Sequence, residues 1–412
     1  MKRYLFILLL LAAIALSANE YTLDQFIEAG LNNSYSMRQK EVMLTNAGLS
    51  VRSAAWNLLP SADVAFSRSN RDENYSNNGS LTVARSLTLN EPSLFNYKQS
   101  RLDKSIARID WRQTRKELTY DIFAAWLDIS QVQKEIAIRT ANLNVLRKIK
   151  EQSELQMRLG QRTQYEVNQS EINVINAELA IADLNNQLVR LRAGLFNKVK
   201  LEDEGYAFAA TDTTITSAIP DAPVLETEPL LLTKLKTDLR KSRLDKWQQM
   251  IGLLPSVYVS GRYEQLSQNN DVLKFEDYKD TYTLSLGVSW SLWTPFTKGS
   301  NYGQVRNSLM LKEWQLEENE AALILDRDNL RREWIYLSET LSLNRKKAAQ
   351  SNANLLIAQE KYNLGSLSLI ELEQARVDAL EAELAVNKIT YQLQKKIQEW
   401  NLLNSLPILN KY

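Results

Sequence analysis

The sequence predicts a mainly helical chain that carries four short amphipathic strands and is built from one unit used twice. Three observations carry this. Gly 12 and Pro 8 in 412 residues make about 5% of the chain, against roughly 12% in average usage. Two stretches of about 60 residues, Lys98 to Met157 and Gln304 to Leu364, contain neither. Between the helical stretches lie short segments that alternate with period 2.

The duplication is read from landmarks. Leu58-Leu59-Pro60-Ser61 recurs as Leu253-Leu254-Pro255-Ser256, Pro92 as Pro295, and Leu159-Gly160 as Leu364-Gly365, at offsets of 195, 203 and 205 residues. That period belongs to a duplicated domain and not to a short solenoid repeat. The organisation expected is a signal peptide over 1–18, a first repeat over 19–200, a linker over 201–228 and a second repeat over 229–412.

Lys2 and Arg3 precede an apolar run from Leu5 to Leu16 that ends in Ser17-Ala18. This has the layout of a secretory signal peptide, the alternative being an uncleaved anchor. Thr22-Leu23-Asp24-Gln25 reads as a capping box opening a helix. Asn32-Asn33-Ser34 interrupts that helix, which resumes to about Asn57 and stops before Pro60.

The strands follow. Ala62, Val64 and Phe66 share one face, and Leu81, Val83, Leu87 and Leu89 repeat the pattern. Val257, Val259 and Tyr263 alternate in the second half. The clearest set is Tyr282, Leu284, Leu286, Val288, Trp290 and Leu292, opposed by Thr281, Thr283, Ser285, Gly287, Ser289 and Ser291. Large apolar side chains on one face and small polar ones on the other fit a membrane β-barrel, with Tyr258, Tyr263, Trp290 and Trp293 suited to its aromatic girdles. A half-buried sheet in water is the alternative.

The Gly- and Pro-free stretches would each make a helix near 90 Å long at about 1.5 Å per residue. Ile122, Ala125, Ile129, Val132 and Ile136 step by 3 and 4, as do Leu330, Trp334, Leu337 and Leu341. The return helix carries Val167, Ser170, Val174, Ala177 and Ile181, with a second seam at Ile172, Ile175 and Leu179. Its counterpart carries Leu372, Ala375, Ala379 and Ala382, with a second seam at Val377, Leu380 and Leu384. Sustained heptads indicate coiled-coil packing, and two seams imply two helical neighbours. Residues 201–228, with Thr211–Thr216, Pro220 and Pro223, are expected to cross between the halves with little regular structure.

Lys+Arg 50 against Asp+Glu 49 gives no basic excess for nucleic acid. No His and no Cys occur, which removes Ser–His–Asp and Cys–His catalysis, imidazole and thiolate metal sites, and disulfides. No Gly-rich phosphate loop accompanies them, so the expectation is no enzyme, no cofactor and no metal site. Four strands cannot close a membrane barrel, since single-chain barrels begin at about eight, and open strand edges are not tolerated in lipid. Membrane strands therefore imply association of two copies at least.

The signal peptide followed by Tyr21-Thr22-Leu23-Asp24-Gln25-Phe26, the paired Leu-Leu-Pro-Ser and the paired turns after Leu-Gly resemble the TolC family of outer-membrane efflux and secretion ducts, over essentially the whole mature chain. The resemblance implies a homotrimer, a 12-stranded β-barrel in outer-membrane lipid of a Gram-negative-type bacterium, and a long periplasmic α-barrel. It also implies docking to a periplasmic adaptor coupled to an inner-membrane pump. The competing reading is a periplasmic coiled-coil adaptor or scaffold without a barrel.

Gly160 and Gly365 sit where each long helix reverses, as C-cap glycines do. By the resemblance, Arg158, Leu159, Gly160, Gln161 and Arg162 form one periplasmic tip, and Asn363, Leu364, Gly365, Ser366 and Leu367 the other. Thr163-Gln164-Tyr165-Glu166 and Ser368-Leu369-Ile370-Glu371 are capping boxes. Glu371 also resembles the first acidic position of the family's tunnel entrance. Gln374 stands uncharged at the second, Glu373 is a substitute for it, and Tyr362 is a candidate for a gate-closing contact. The basic runs Arg112–Lys116 and Arg327–Arg332 read as solvated helix faces.

Overall fold

The computed structural model describes residues 20–71, 74–88, 91–203, 205, 207–208, 228–267, 278–290 and 293–411. The expected signal peptide, Leu89, Leu292 and most of the expected linker lie outside these residues. The elements are β1 (Glu20–Tyr21), α1 (Leu23–Asn33), α2 (Tyr35–Trp56), β2 (Ser61–Arg71), β3 (Asn74–Thr88), α3 (Pro92–Arg158), α4 (Gln164–Val199) and β4 (Ala207–Phe208). Then come α5 (Leu230–Ile251), β5 (Ser256–Ser267), β6 (Tyr278–Ser289), α6 (Thr294–Asn363), α7 (Leu369–Leu403) and a 3₁₀ turn at Ile408–Asn410. Helix, two strands, a long helix and a return helix thus occur in that order in each half.

The long helices α3 and α6 run for 67 and 70 residues and begin earlier than the Gly- and Pro-free stretches. Pro92 stands at the first position of α3, where a missing N–H costs nothing and the fixed φ suits a helix. The first helix is capped as expected: Thr22 accepts from the backbone N–H of Gln25, whose side chain accepts from that of Thr22.

Two compact units form, and they cut across the two halves. One holds residues up to 38, 113–228 and 323–412; the other holds 39–112 and 229–322. In the first, Phe26, Ile27, Ile122, Trp126, Ile129, Leu195, Phe196 and Val199 make a closed core. Phe208 stacks on Phe26 at 5.6 Å and meets Trp126 edge-on at 4.7 Å. Arg192 lies over Phe208 and bonds Asp203 with two nitrogens, at 2.9 and 2.6 Å. The start of the expected linker is therefore ordered, because Phe208 is an aromatic core residue and β4 pairs in parallel with β1.

The seams read from sequence also pack in this unit. Leu337 and Leu341 meet Ile389 and Leu393, and Leu143 and Leu146 meet Val174. The second seam of α4, at Ile172, Ile175 and Leu179, is exposed on the single chain.

The basic runs are not wholly solvated. Arg327 is buried and its Nε donates to Asn404 Oδ1 at 2.6 Å, while Lys116 Nζ donates to the Leu406 carbonyl at 2.8 Å. Both cations meet the carboxyl end of α7, where backbone carbonyls lack helical partners and the dipole favours positive charge. Burial holds both of their pKa values below the ordinary ones.

The second unit contains an antiparallel sheet in the order β2-β3-β5-β6. β3 and β5, one from each half of the chain, form its centre, from Ser80↔Leu266 to Thr88↔Tyr258. β2 and β6 are its edges, each with one side unpaired in the single chain.

Candidate functional site

Directly opposed residues of an antiparallel pair share a face, so the register fixes where every strand residue stands. Val64 opposes Leu81, and Ala62 opposes Val83, which opposes Tyr263, which opposes Tyr282. Leu87 opposes Val259, which opposes Leu286, and Val257 opposes Val288. The apolar sets of all four strands therefore fall on one face. It is exposed: Leu284 is 82% and Leu286 77% open, with Tyr282, Val288, Val64 and Phe66 also exposed.

Trp290 continues this face just past β6, its Nε1 donating to the Leu253 carbonyl at 3.4 Å. Trp293, Phe296 and Trp56 are exposed beside the same strand ends. The ring of Tyr263 lies 4.9 Å from that of Tyr282. Tyr258 departs from the girdle expectation. It opposes Gly287 on the other face, and its ring lies where a Cβ on Gly287 would stand, so it covers a glycine instead.

That other face holds Asp63, Thr82, Arg262, Glu264, Thr281, Thr283 and Ser285. Arg85 is an exception on the apolar side. Its guanidinium reaches the Asn57 carbonyl at 3.0 Å and Glu91 at 3.4 Å, so it lies along the surface with its charge satisfied at the end of α2. The sequence displayed the alternation in every strand, yet only the β6 set stood out as a candidate site. The partners on β2, β3 and β5 emerge from the register, which no single segment encodes.

The two helix reversals belong to the first unit and share one construction. Gly160 and Gly365 have φ of 72° and 73°. Gln161 donates its N–H to the Gln156 carbonyl at 2.8 Å and Gly160 to Met157 at 2.9 Å. Ser366 to Lys361 and Gly365 to Tyr362 repeat this at 2.9 and 3.0 Å. These paired bonds are Schellman closures, which need a left-handed residue that glycine supplies without strain. Leu159 and Leu364 are left exposed at the two turns.

Both return helices open with complete capping boxes. Glu166 Oε2 accepts from the Thr163 N–H at 3.0 Å, and Glu371 Oε2 from the Ser368 N–H at 2.9 Å. These backbone bonds hold both carboxyls below the usual glutamate range, with Arg162 contributing at Glu166 and the Ser368 hydroxyl at Glu371.

Around the second turn, Tyr362 is 3% exposed in a cluster with Ile149, Leu369 and Leu372. The Arg162 guanidinium stands 4.6 Å over its ring, held there by Gln156 at 3.1 Å and Glu166 at 2.7 Å. This contact joins the two reversals, a link that the spacing of the turns did not reveal. Glu373 is bound by Arg376, which also donates to Asn142 of α3 at 2.6 Å, and Gln374 donates to Asp378 at 3.0 Å. Among the described residues no group of acidic side chains is arranged to hold a metal ion, and no helix is long and apolar enough to cross a membrane.

Residues 233–403 match the model of the outer membrane efflux protein family. No curated protein matches the chain by sequence. The fold is similar to that of the outer-membrane channel OprN, with 16% identity, a TM-score of 0.80, and coverage of 93% of this chain and 90% of that one. It is similar to the CmeC outer membrane channel of Campylobacter jejuni, with 14% identity, a TM-score of 0.77, and coverage of 93% and 85%. VceC from Vibrio cholerae gives 14%, 0.79, and 92% and 94%. The resemblance drawn from the sequence thus holds in a family domain over the second half and in the fold of nearly the whole chain.

Proposed function

We propose that this chain, whose residues 233–403 match the outer membrane efflux protein family, is a passive exit duct of the outer membrane with a periplasmic extension. The observation that carries the reading is the sheet: one continuous apolar face open to the surroundings, and two edges without partners. In water such a face is a liability. In hydrocarbon it is required, but the edges are then not tolerated, because each unpaired N–H or C=O costs several kcal/mol.

Pairing β6 of one copy with β2 of the next removes both edges at once. The strands alternate in direction, so that junction is antiparallel like the rest. It is also heterologous, a contact that closes into a ring when the rotation between copies closes, as a barrel without edges requires. Three copies bring twelve strands, the number the family resemblance implies, with the hydroxyl-rich face turned to a water-filled lumen. The likeness of the two halves is a duplication that gives each copy two strand pairs and two helical hairpins.

The turns around Arg158–Arg162 and Asn363–Leu367 are the tips that dock a periplasmic adaptor, itself coupled to an inner-membrane transporter. Leu159 and Leu364 are the exposed apolar contacts there. Glu371, Gln374, Glu373 and Tyr362 line or brace the entrance between them. In a trimer a single lining carboxylate becomes a ring of three, enough to bias the entrance towards cations. Movement of solute follows an opening made by the partners, and the chain performs no bond chemistry of its own.

The test is fractionation and conductance. A trimer recovered from outer-membrane detergent extracts that passes single-channel current in planar bilayers is the expected result. A monomer dissolved in the periplasm, with no current, overturns the reading in favour of a coiled-coil scaffold.

A further inference from the structure

Two glycines stand on the apolar face of the sheet, and they differ. Gly79, opposite Phe66, has the Tyr278 ring where a Cβ would stand. Gly261 has no atom of the described residues within 4 Å of that position. Gly261 lies in a row of directly opposed residues between Arg85 of β3 and Leu284 of β6, and Pro60, just before β2, continues the row. The result is a groove of about 410 Å³ along these four residues, walled by Tyr263 and Tyr282.

The groove is not level with the strand ends. Pro60 precedes the first residue of β2, and Arg85 lies close to Thr88, the last of β3. Gly261 and Leu284 stand further in, well past Ser256 and well before Ser289, the helical ends of β5 and β6. The groove therefore starts beside α2 and leads away from the helices, as the tilt of barrel strands requires. Three steps between strands at about 4.8 Å each make it about 14 Å long.

Its two ends differ in chemistry. At the helical end Arg85 and Glu91 form an ion pair at 3.4 Å, and the guanidinium also donates to the Asn57 carbonyl at 3.0 Å. A guanidinium has five N–H groups, so these two bonds do not exhaust it. At the far end Leu284 is exposed and apolar. A cation and an anion side by side, leading into an apolar trough, match a zwitterionic head followed by a hydrocarbon chain.

We propose that this groove holds one phospholipid of the phosphatidylethanolamine class. Its phosphate accepts from Arg85, its ammonium faces Glu91, and one acyl chain lies over Gly261 towards Leu284. The site rests on the duct reading, which surrounds this face with lipid. Gly261 leaves the space through which the chain passes. A phospholipid with an acidic head and no ammonium brings uncompensated negative charge against Glu91, so the ion pair selects between head groups.

The test is native mass spectrometry of the detergent-extracted oligomer, titrated with phosphatidylethanolamine or with phosphatidylglycerol. The parent is expected to favour the ethanolamine lipid by about fivefold, the upper range for a partly exposed ion pair. Gly261→Leu, which fills open space and so keeps the fold, should lose the bound lipid, while Val64→Leu on the same face outside the groove retains it. Glu91→Gln should bind both lipids alike. An oligomer without the preference, a Gly261→Leu chain that binds as the parent does, or a Glu91→Gln chain that still discriminates overturns the site and leaves the duct standing. Recovery of a periplasmic monomer alone overturns the duct reading beneath it.

Discussion

Around Phe26 and Trp126, aromatic and aliphatic side chains are sealed from their surroundings to 0% and 1% exposure; along β6, side chains as apolar stand outward from a thin sheet whose other face carries hydroxyls. The two regions belong to one chain and to different compact units. The core around Trp126 obeys the rule for water, with aromatic edges packed at 5.4 and 4.7 Å. The sheet reverses that placement, as the proposed duct requires of strands whose outer solvent is hydrocarbon. Identical residue types are therefore placed by opposite criteria, and substitutions should separate the two.

The largest effect is expected in the sealed region. Trp126→Ala removes a fully buried indole and should lower stability by about 3–5 kcal/mol, read as the denaturation midpoint of the helical signal. The same truncation at exposed Trp293 should leave that midpoint within about 0.5 kcal/mol of the parent. Equal losses at the two positions would break the contrast.

Next comes charge. On the proposed duct, Leu286→Arg on the apolar face should cost about 2–4 kcal/mol near the bilayer midplane, seen as loss of trimer from outer-membrane extracts. Thr283→Arg, on the opposite face, should retain assembly and alter conductance. If Thr283→Arg is the more damaging, the two faces have been assigned the wrong solvents.

A smaller effect tests the tips. Among the described residues no atom stands within 4 Å of a Cβ placed on Gly160 or Gly365, so Gly365→Ala meets only the cost of a left-handed backbone, about 1–2 kcal/mol. Denaturation should show that loss alone. A larger one would mean that the turn is packed against something in the assembly.

The smallest effect is a pH dependence. The Glu166 and Glu371 carboxyls are depressed in the folded chain, so their stabilisation is complete above the unfolded value of 4.5. It is lost as pH falls through the folded values. A melting curve followed downward from about pH 6 should therefore drop less in the Glu166→Gln, Glu371→Gln double variant, which has no carboxyl to titrate at either cap, than in the parent.

The sequence foretold much of the fold because its strongest signals are local. The Thr22, Thr163 and Ser368 caps, the glycine reversals and the period-2 strands each depend on residues a few positions apart. What stayed hidden depends on distant partners. Phe208 lies in a Pro- and Thr-rich stretch and joins the core through Phe26 and Trp126. Arg327 looks like one member of a solvated basic run until Asn404 is placed beside it. Arg162 over Tyr362 joins turns that belong to opposite halves of the chain. The residues of the apolar face were legible; that four segments present them to one side follows from the register alone.

The first unit also shows how the two ends of the described chain are tied together. Asp24, at the opening of α1, pairs with Lys411, 387 residues further on, and Leu409 packs against the cluster that contains Phe26. The buried members of that cluster all lie between Phe26 and Val199, so the core closes on itself and the tail fastens over it from outside. Contacts between positions 387 apart thus work as a clasp, holding α1 against the tail after the core beneath has packed.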